Sequence, residues 1–198
     1  MKNKILIATH NQNKLAEIID ILGNDNFEFL TLKDLDDHDD LIENGQTFFE
    51  NALIKARHYF DKYNIPTISD DSGLCVRRLN GNPGVNSKRF SIEGSDYHNN
   101  LKLLSLLHNQ TNRKAYFETS IVLINKFGQV FHFKGRLNGV IHTDLIGDEG
   151  FGYDPLFIPE GYNDTLAILG EKVKNKISHR SIAVKKLQEK FNEIINNR

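Results

Sequence analysis

The stretch Ser69-Asp70-Asp71-Ser72-Gly73 places two adjacent carboxylates directly after the apolar run Ile65-Pro66-Thr67-Ile68. Carboxylates where a strand ends can hold a hard cation such as Mg²⁺, which takes oxygen ligands and keeps several of its waters. A carboxylate there can also take a proton from such a water. Gly73 then predicts a sharp turn of the backbone. Alone, Asp-Asp-Ser-Gly also describes an ordinary polar turn. Its meaning depends on other polar clusters that are distant in sequence and complementary in chemistry.

Thr9-His10-Asn11-Gln12-Asn13-Lys14 lies between a predicted strand and a predicted helix. Backbone N–H groups at a helix start, with Thr and Asn side chains and a lysine, suit a phosphate. The Walker spacing is absent, so this is not a Walker ATPase. The plainer alternative is that Asn11 or Asn13 caps the helix and Lys14 is solvated. Glu43 precedes a capped helix, as a second metal ligand or as a complement to the helix dipole. Gly150-Phe151-Gly152-Tyr153-Asp154-Pro155 offers Phe151 or Tyr153 to stack on a flat base, or simply to pack a loop. Lys172, Lys174 and Lys176 precede Ser178-His179-Arg180, as a charge clamp with hydrogen-bond donors or as a solvated basic loop. Together the clusters fit one ligand: phosphates for Lys14, Lys174 and a bound Mg²⁺, a flat ring for Phe151, and a ring acceptor for His179 and Arg180. That ligand is a nucleoside triphosphate.

These segments must be held by a framework that the periodicity outlines. Lys4 to Ala8 reads as a buried strand, followed by a helix with Leu15, Ile18, Ile19 and Leu22 on one face. Phe27 to Leu32 reads as a strand, and Asp34 to Asp40 as a solvated acidic loop. Thr47 and Glu50 form a capping box for a helix to about Tyr63, with Phe49, Ala52, Leu53, Ala56, Phe60 and Tyr63 as its buried stripe. A loop from Asn80 to Gly94 leads to a helix from about Tyr97 to Leu107, with Leu101, Leu104 and Leu107 facing inward. Strands Lys114 to Ile124 and Gln129 to Leu137 form a hairpin. Gly147 to Tyr162 is a Gly-rich loop, and the last helix runs from about Ser181 to Asn196, with Ala183, Leu187, Phe191 and Ile194 inward. The pattern predicts an α/β fold with a mixed, strongly twisted central sheet flanked by helices.

The 198 residues are 39% hydrophobic and 26% charged, with a formal charge of −1, as expected of one globular domain spanning 1–198. Near-neutrality argues against bulk binding to nucleic acid, which needs a basic face. The lone cysteine, Cys75, excludes an internal disulfide and reads as a buried thiol. No run reaches membrane-spanning length, and the apolar run after the basic start is too short for a signal peptide, so a cytoplasmic protein is expected.

In order and wording, the segments resemble the inosine triphosphate pyrophosphatase family. The matching pieces are Ala8 to Lys14, Thr47-Phe48-Phe49-Glu50-Asn51-Ala52, Ser69 to Leu74, Asn80-Gly81-Asn82-Pro83-Gly84-Val85, Gly150 to Pro155 and Lys174-Asn175-Lys176-Ile177-Ser178-His179-Arg180. Departures from the family pattern are Cys75, Arg77, Arg78, Asn86, Lys88 and Ile168. The resemblance implies two lobes around a nucleotide cleft, a homodimer, and Mg²⁺-dependent hydrolysis of ITP, dITP and XTP to the monophosphate and pyrophosphate. It implies that Asp71 is the proton acceptor and a Mg²⁺ ligand, with Glu43 the other ligand and Asp70 a supporting one. It implies substrate contacts from Thr9, His10, Asn11, Gln12, Asn13, Lys14, Ser72, Phe151, Gly152, Tyr153, Asp154, Lys174, His179 and Arg180. Two other readings stay open: a Maf-like pyrophosphatase of pyrimidine or modified nucleotides, and a nucleotide-binding regulator without catalysis.

Overall fold

The computed structural model describes residues 3–23, 27–39 and 41–196. Met1 and Lys2, at the basic start, and Asp40, the last residue of the acidic loop, lie outside the described residues. The chain divides into two compact units, one of Met1–Asp71, Thr119–Gly135 and Arg180–Arg198, the other of Ser72–Glu118 and Arg136–His179. Among the described residues six strands form one mixed sheet in the order β2-β1-β3-β4-β5-β6. No helix among them is long and apolar enough to cross a membrane.

In the first unit, β1 (Asn3–Ile7) runs parallel to β2 (Phe27–Thr31) and to the start of β3 (Thr67–Val76). Ile5 and Ile7, Ile68, and Ile121 and Leu123 of β4 (Lys114–Ile124) pack on α1 (Gln12–Leu22) and α5 (His179–Asn196) through Leu15, Ile18, Ala183, Leu187 and Phe191. The alternate residues turn the other way. Val122 and Ile124 meet Ala52 and Ala56 of α2 (Phe48–Tyr63), while Leu6 and Ala8 meet Tyr59. Strands covered on both faces read as continuous apolar runs, which is why β1 and β4 were legible. The hairpin from β4 to β5 (Val130–Ile141) turns at Asn125, whose Oδ1 accepts the N–H groups of Phe127 and Gln129.

Two expectations change here. The helix α2 begins as its capping signal predicts, with Thr47 Oγ1 accepting from Glu50 N at 3.1 Å, but Glu50 Oε2 reaches back to Gln46 N. It buries Phe48, Asn51 and Tyr59 besides Ala52 and Ala56, because apolar clusters flank it on two sides. The acidic loop is solvated only in part: Asp34, Asp36 and His38 are exposed, as expected, but Asp37 and Asp39 are docked. Asp37 is buried and accepts from Lys62 Nζ at 2.6 Å and Tyr63 Oη at 2.5 Å, and Asp39 Oδ2 accepts from Lys62 at 2.8 Å. Burial alone would raise the Asp37 carboxyl, yet the bonds from Lys62, Tyr63 and the Asp39 N–H hold it well below the ordinary carboxylate range.

In the second unit, Leu74, Val76, Leu103, Leu107, Phe117, Tyr153, Leu156 and Phe157 form the core. β5 pairs antiparallel with the short β6 (Phe157–Pro159). Cys75 is buried, as expected. The helix α3 (Asp96–Leu106) follows the leucine pattern in part: Leu107, just past its end, is buried and Leu104 packs against the core, as expected. Leu101 is exposed, and Asn99, Asn100 and Leu103 are buried, because the two amides hold neighbouring loops: Asn99 Oδ1 accepts from Ser91 N, and Asn100 Nδ2 donates to Gly152 O at 2.8 Å. Lys172, Lys174 and Lys176 stand not in a loop but on α4 (Leu166–Ile177), a helix kinked at Gly170, whose φ is 74°. Only Lys174 of the three is buried.

Candidate active site

The strand β3 does not stop at the paired aspartates. It continues through Val76, so Gly73 makes no turn and Asp70 and Asp71 point to opposite faces of the sheet. The expected strand end is therefore corrected. Composition favoured a turn, but most of the segment's buried polar groups find partners within the fold. Ser69 Oγ donates to Ala52 O, and Thr119 Oγ1 donates to Asp71 O at 3.2 Å.

Asp70 faces α1 and α5. Its Oδ2 lies 3.0 Å from Lys14 Nζ and 3.5 Å from Arg180 Nε, and Arg180 Nη1 also donates to Glu17. Burial would raise Asp70, but Lys14 and Arg180 outweigh it and hold the carboxyl well below its ordinary range. Burial pulls the Lys14 amine down, with Asp70 opposing. Arg180 is buried between two carboxylates, Glu17 and Asp70. The loop before α1 is likewise used by the chain. Asn11 Oδ1 accepts the Asn13 and Lys14 N–H groups, Thr9 Oγ1 accepts from Asn11 N, and His10 Nε2 lies 3.3 Å from Asp39 O. His10, Asn11, Gln12 and Asn13 are exposed.

Asp71 faces α2. Its Oδ2 accepts from Asn51 Nδ2 at 3.0 Å, inside the protein. One turn on, Lys55 Nζ donates to Glu43 Oε1 at 3.0 Å. Burial pushes the Asp71 carboxyl up, opposed by Lys55, Lys14 and the Asn51 bond and reinforced by the charge of Glu43. A carboxylate so placed is a better proton acceptor than an exposed one. Asn51 and Lys55 escaped the sequence reading. Their signal was spacing: four residues apart on the helix that Thr47 caps, they share one face.

Among the described residues, no group of three or more His, Cys, Asp or Glu side chains converges as a metal cage. Mg²⁺ rarely asks for one, because it binds through one or two carboxylates plus waters and substrate phosphates. The close charges of Asp71 and Glu43 fit that ion. Asp70 Oδ1, buried and accepting no hydrogen bond from the described residues, is an acceptor of the kind that water or an ion normally satisfies.

The second unit assembles the other candidate residues. Asp154 Oδ2 accepts from Phe151 N at 3.0 Å and pairs with Lys174 Nζ at 2.6 Å. The Lys174 ammonium lies 3.8 Å from the centroid of the Phe151 ring. Gly150 permits this loop: its φ is +82°, and a Cβ there would run into the Asp154 carboxylate. Gly152 is held from both sides, its N–H by Asp96 Oδ2 at 2.7 Å and its carbonyl by Asn100. Tyr153 is a core residue whose hydroxyl donates to Ser87 O, so of the two candidate stacking rings only Phe151 is half-exposed. The His179 ring lies against Phe117, centroids 4.9 Å apart and planes 12° apart. Ser72, the first residue of this unit, is half-buried.

The Ham1 family profile matches residues 5–190. The chain belongs to the Ham1 family. Similar Ham1 relatives include a dITP/XTP pyrophosphatase of Aquifex aeolicus (strain VF5), 44% identical, with 93% of this chain and 94% of that protein covered. Another is a dITP/XTP pyrophosphatase of Porphyromonas gingivalis (strain ATCC BAA-308 / W83), 41% identical, with 94% and 96% covered. Among solved structures, the Ham1 protein of Staphylococcus aureus superposes with a TM-score of 0.89 at 36% identity, covering 96% of this chain and 99% of that one. The Ham1 fold thus confirms the expected mixed α/β sheet.

Proposed function

We propose that this protein hydrolyses ITP, dITP and XTP to the nucleoside monophosphate and pyrophosphate. The observation that carries the reading is the buried Asp71 carboxylate, held at 3.0 Å by the Asn51 amide of the helix whose Lys55 pairs with Glu43. Support comes from the second unit, where Phe151, Lys174 and His179 offer a ring face, a cation and an imidazole. A nucleoside triphosphate carries both chemistries that these clusters select. The printed activity of the Aquifex and Porphyromonas relatives points to the same substrates.

Asp71 takes the proton of a water as its oxygen bonds to the α-phosphorus. The bond from that phosphorus to the bridging oxygen breaks, and pyrophosphate leaves with the electron pair. Lys14 and Lys55 offset the charge that gathers on the phosphoryl oxygens. Mg²⁺ would be held by Glu43 and Asp71, and would supply further neutralisation and a more acidic water. His179 offers a donor to a 6-oxo purine; the 6-amino group of adenine would meet it with another donor. A homodimer belongs to the same reading and is decided by sedimentation.

The test is pyrophosphate release from ITP, XTP, GTP, ATP, dTTP and UTP, each with Mg²⁺ and with EDTA. Mg²⁺-dependent release from ITP and XTP, with little from GTP or ATP, supports the proposal. Release from dTTP or UTP instead assigns a Maf-like activity, and release from none assigns binding without catalysis.

A further inference from the structure

One buried amide, Asn51, holds the Asp71 carboxylate and the backbone two residues after Glu43. Its side chain is 1% exposed. Its Nδ2 donates to Asp71 Oδ2 at 3.0 Å, and its Oδ1 accepts from Gly45 N at 2.8 Å. Gly45 lies two residues after Glu43. The contact is close: a Cβ at Gly45 would sit 2.7 Å from Asn51 Oδ1 and 2.7 Å from Glu50 Cβ. So the chain comes to the amide at a spacing that only glycine allows. Lys55, one turn further along α2, grips Glu43 itself.

We propose that Asn51 is the positioning residue of the reaction, fixing the Asp71 carboxylate from α2 while the same amide anchors the segment that carries Glu43. The inference rests on the proposed function above. An amide suits the task better than the alternatives. Its NH₂ can only donate, so it holds a carboxylate oxygen without competing for the proton that Asp71 receives. Its carbonyl accepts the Gly45 N–H, so neither segment can shift without breaking a hydrogen bond to the buried amide, which is costly. Held this way, Asp71 meets its water in one orientation.

Two variants separate positioning from mere support. Asn51→Asp keeps the shape and the acceptor for Gly45 N, but replaces the donor facing Asp71 with a like charge. Asn51→Ala removes both bonds. For the positioning role, kcat for ITP with Mg²⁺ falls about 100-fold in Asn51→Asp, as expected for a misplaced reacting group, and at least as far as in Asn51→Ala, while KM stays within about threefold. An Asn51→Asp variant with wild-type kcat overturns the inference and leaves Asn51 a loop anchor. A raised KM with unchanged kcat also overturns it, because uniform binding was then lost. Should Asn51→Ala fail to fold, the isosteric Asn51→Asp decides, its fold checked by thermal melting. The wild-type protein, assayed alongside, keeps the two readings apart: no release by wild type defeats the proposed function, whereas normal release by wild type and both variants defeats only the role of Asn51.

Discussion

Asp70 and Asp71 are neighbours in the chain that face opposite sides of one strand: Asp70 Oδ2 lies 3.0 Å from the Lys14 ammonium, and Asp71 Oδ2 takes the Asn51 amide at 3.0 Å. Cations hold Asp70 ionised, whereas burial pushes Asp71 toward its proton. The same residue type thus stands in two environments, one paired with cations and one pushed toward its proton by burial.

Asp71→Asn separates chemistry from stability. Loss of a general base lowers pyrophosphate release from ITP by about 10²–10⁴-fold. Stability moves the other way. The folded pKa of Asp71 is raised, so its ionised form works against folding as pH rises above the ordinary carboxylate value. The melting temperature of Asp71→Asn at pH 7 equals or exceeds that of wild type. A fall in melting temperature with retained activity would reverse both assignments.

Asp70→Asn does the reverse. It leaves the buried Arg180 and Lys14 without a shared counter-charge, a loss of about 3–5 kcal/mol of the kind seen when a buried pair is broken. The folded pKa of Asp70 is depressed, so its contribution is complete above about pH 4 and is lost as pH falls through the lower folded value. Urea unfolding from pH 7 to pH 3 therefore shows a smaller loss of stability in Asp70→Asn than in wild type.

Phe151→Ala removes the ring under Lys174. Stacking a base on an aromatic ring contributes about 1–3 kcal/mol, so KM for ITP rises about tenfold or more. Melting changes little, because Phe151 is only half-buried. Steady-state kinetics beside calorimetric melting checks both.

His179→Ala narrows the preference for ITP over ATP. The ratio of kcat/KM for the two substrates is the readout, and an unchanged ratio removes His179 from base selection.

Lys62→Met unfastens the acidic loop. Asp37 and Asp39 both lose their shared cation, and Asp37 stays buried with Tyr63 and a backbone N–H as its remaining partners among the described residues. Limited proteolysis within 33–39 accelerates, and the melting temperature falls.

The sequence made the framework legible where burial on two faces writes long apolar runs, as in β1 and β4, and where a cap marks a start, as at Thr47. It misled where polar residues are buried by tertiary partners. Asp-Asp-Ser-Gly looked like a turn because Asn51, Lys14 and Arg180, which satisfy its carboxylates, lie far off in the chain. On α3 Leu104 and Leu107 face inward as read, but Leu101 does not, because Asn99 and Asn100 turn inward to hold loops. The helix α4 was hidden by Gly170, whose positive φ interrupts the periodicity. For the site, the residue types were visible and their pairings were not. Arg180 reads as a base donor beside His179, and nothing local in the sequence pairs it with Glu17 and Asp70.

Because β3 runs straight through the acidic pair, the division of labour is a matter of parity. Ile68 and Asp70 share one side of the ribbon, and Ser69 and Asp71 the other. Deleting one residue between Thr67 and Asp70 would swap the sides while leaving the composition almost untouched. The would-be base would then meet Lys14 and Arg180, and the counter-ion would meet Asn51. A change of two residues would restore the assignment. What this segment transmits between generations is therefore an even or odd count as much as a set of side chains.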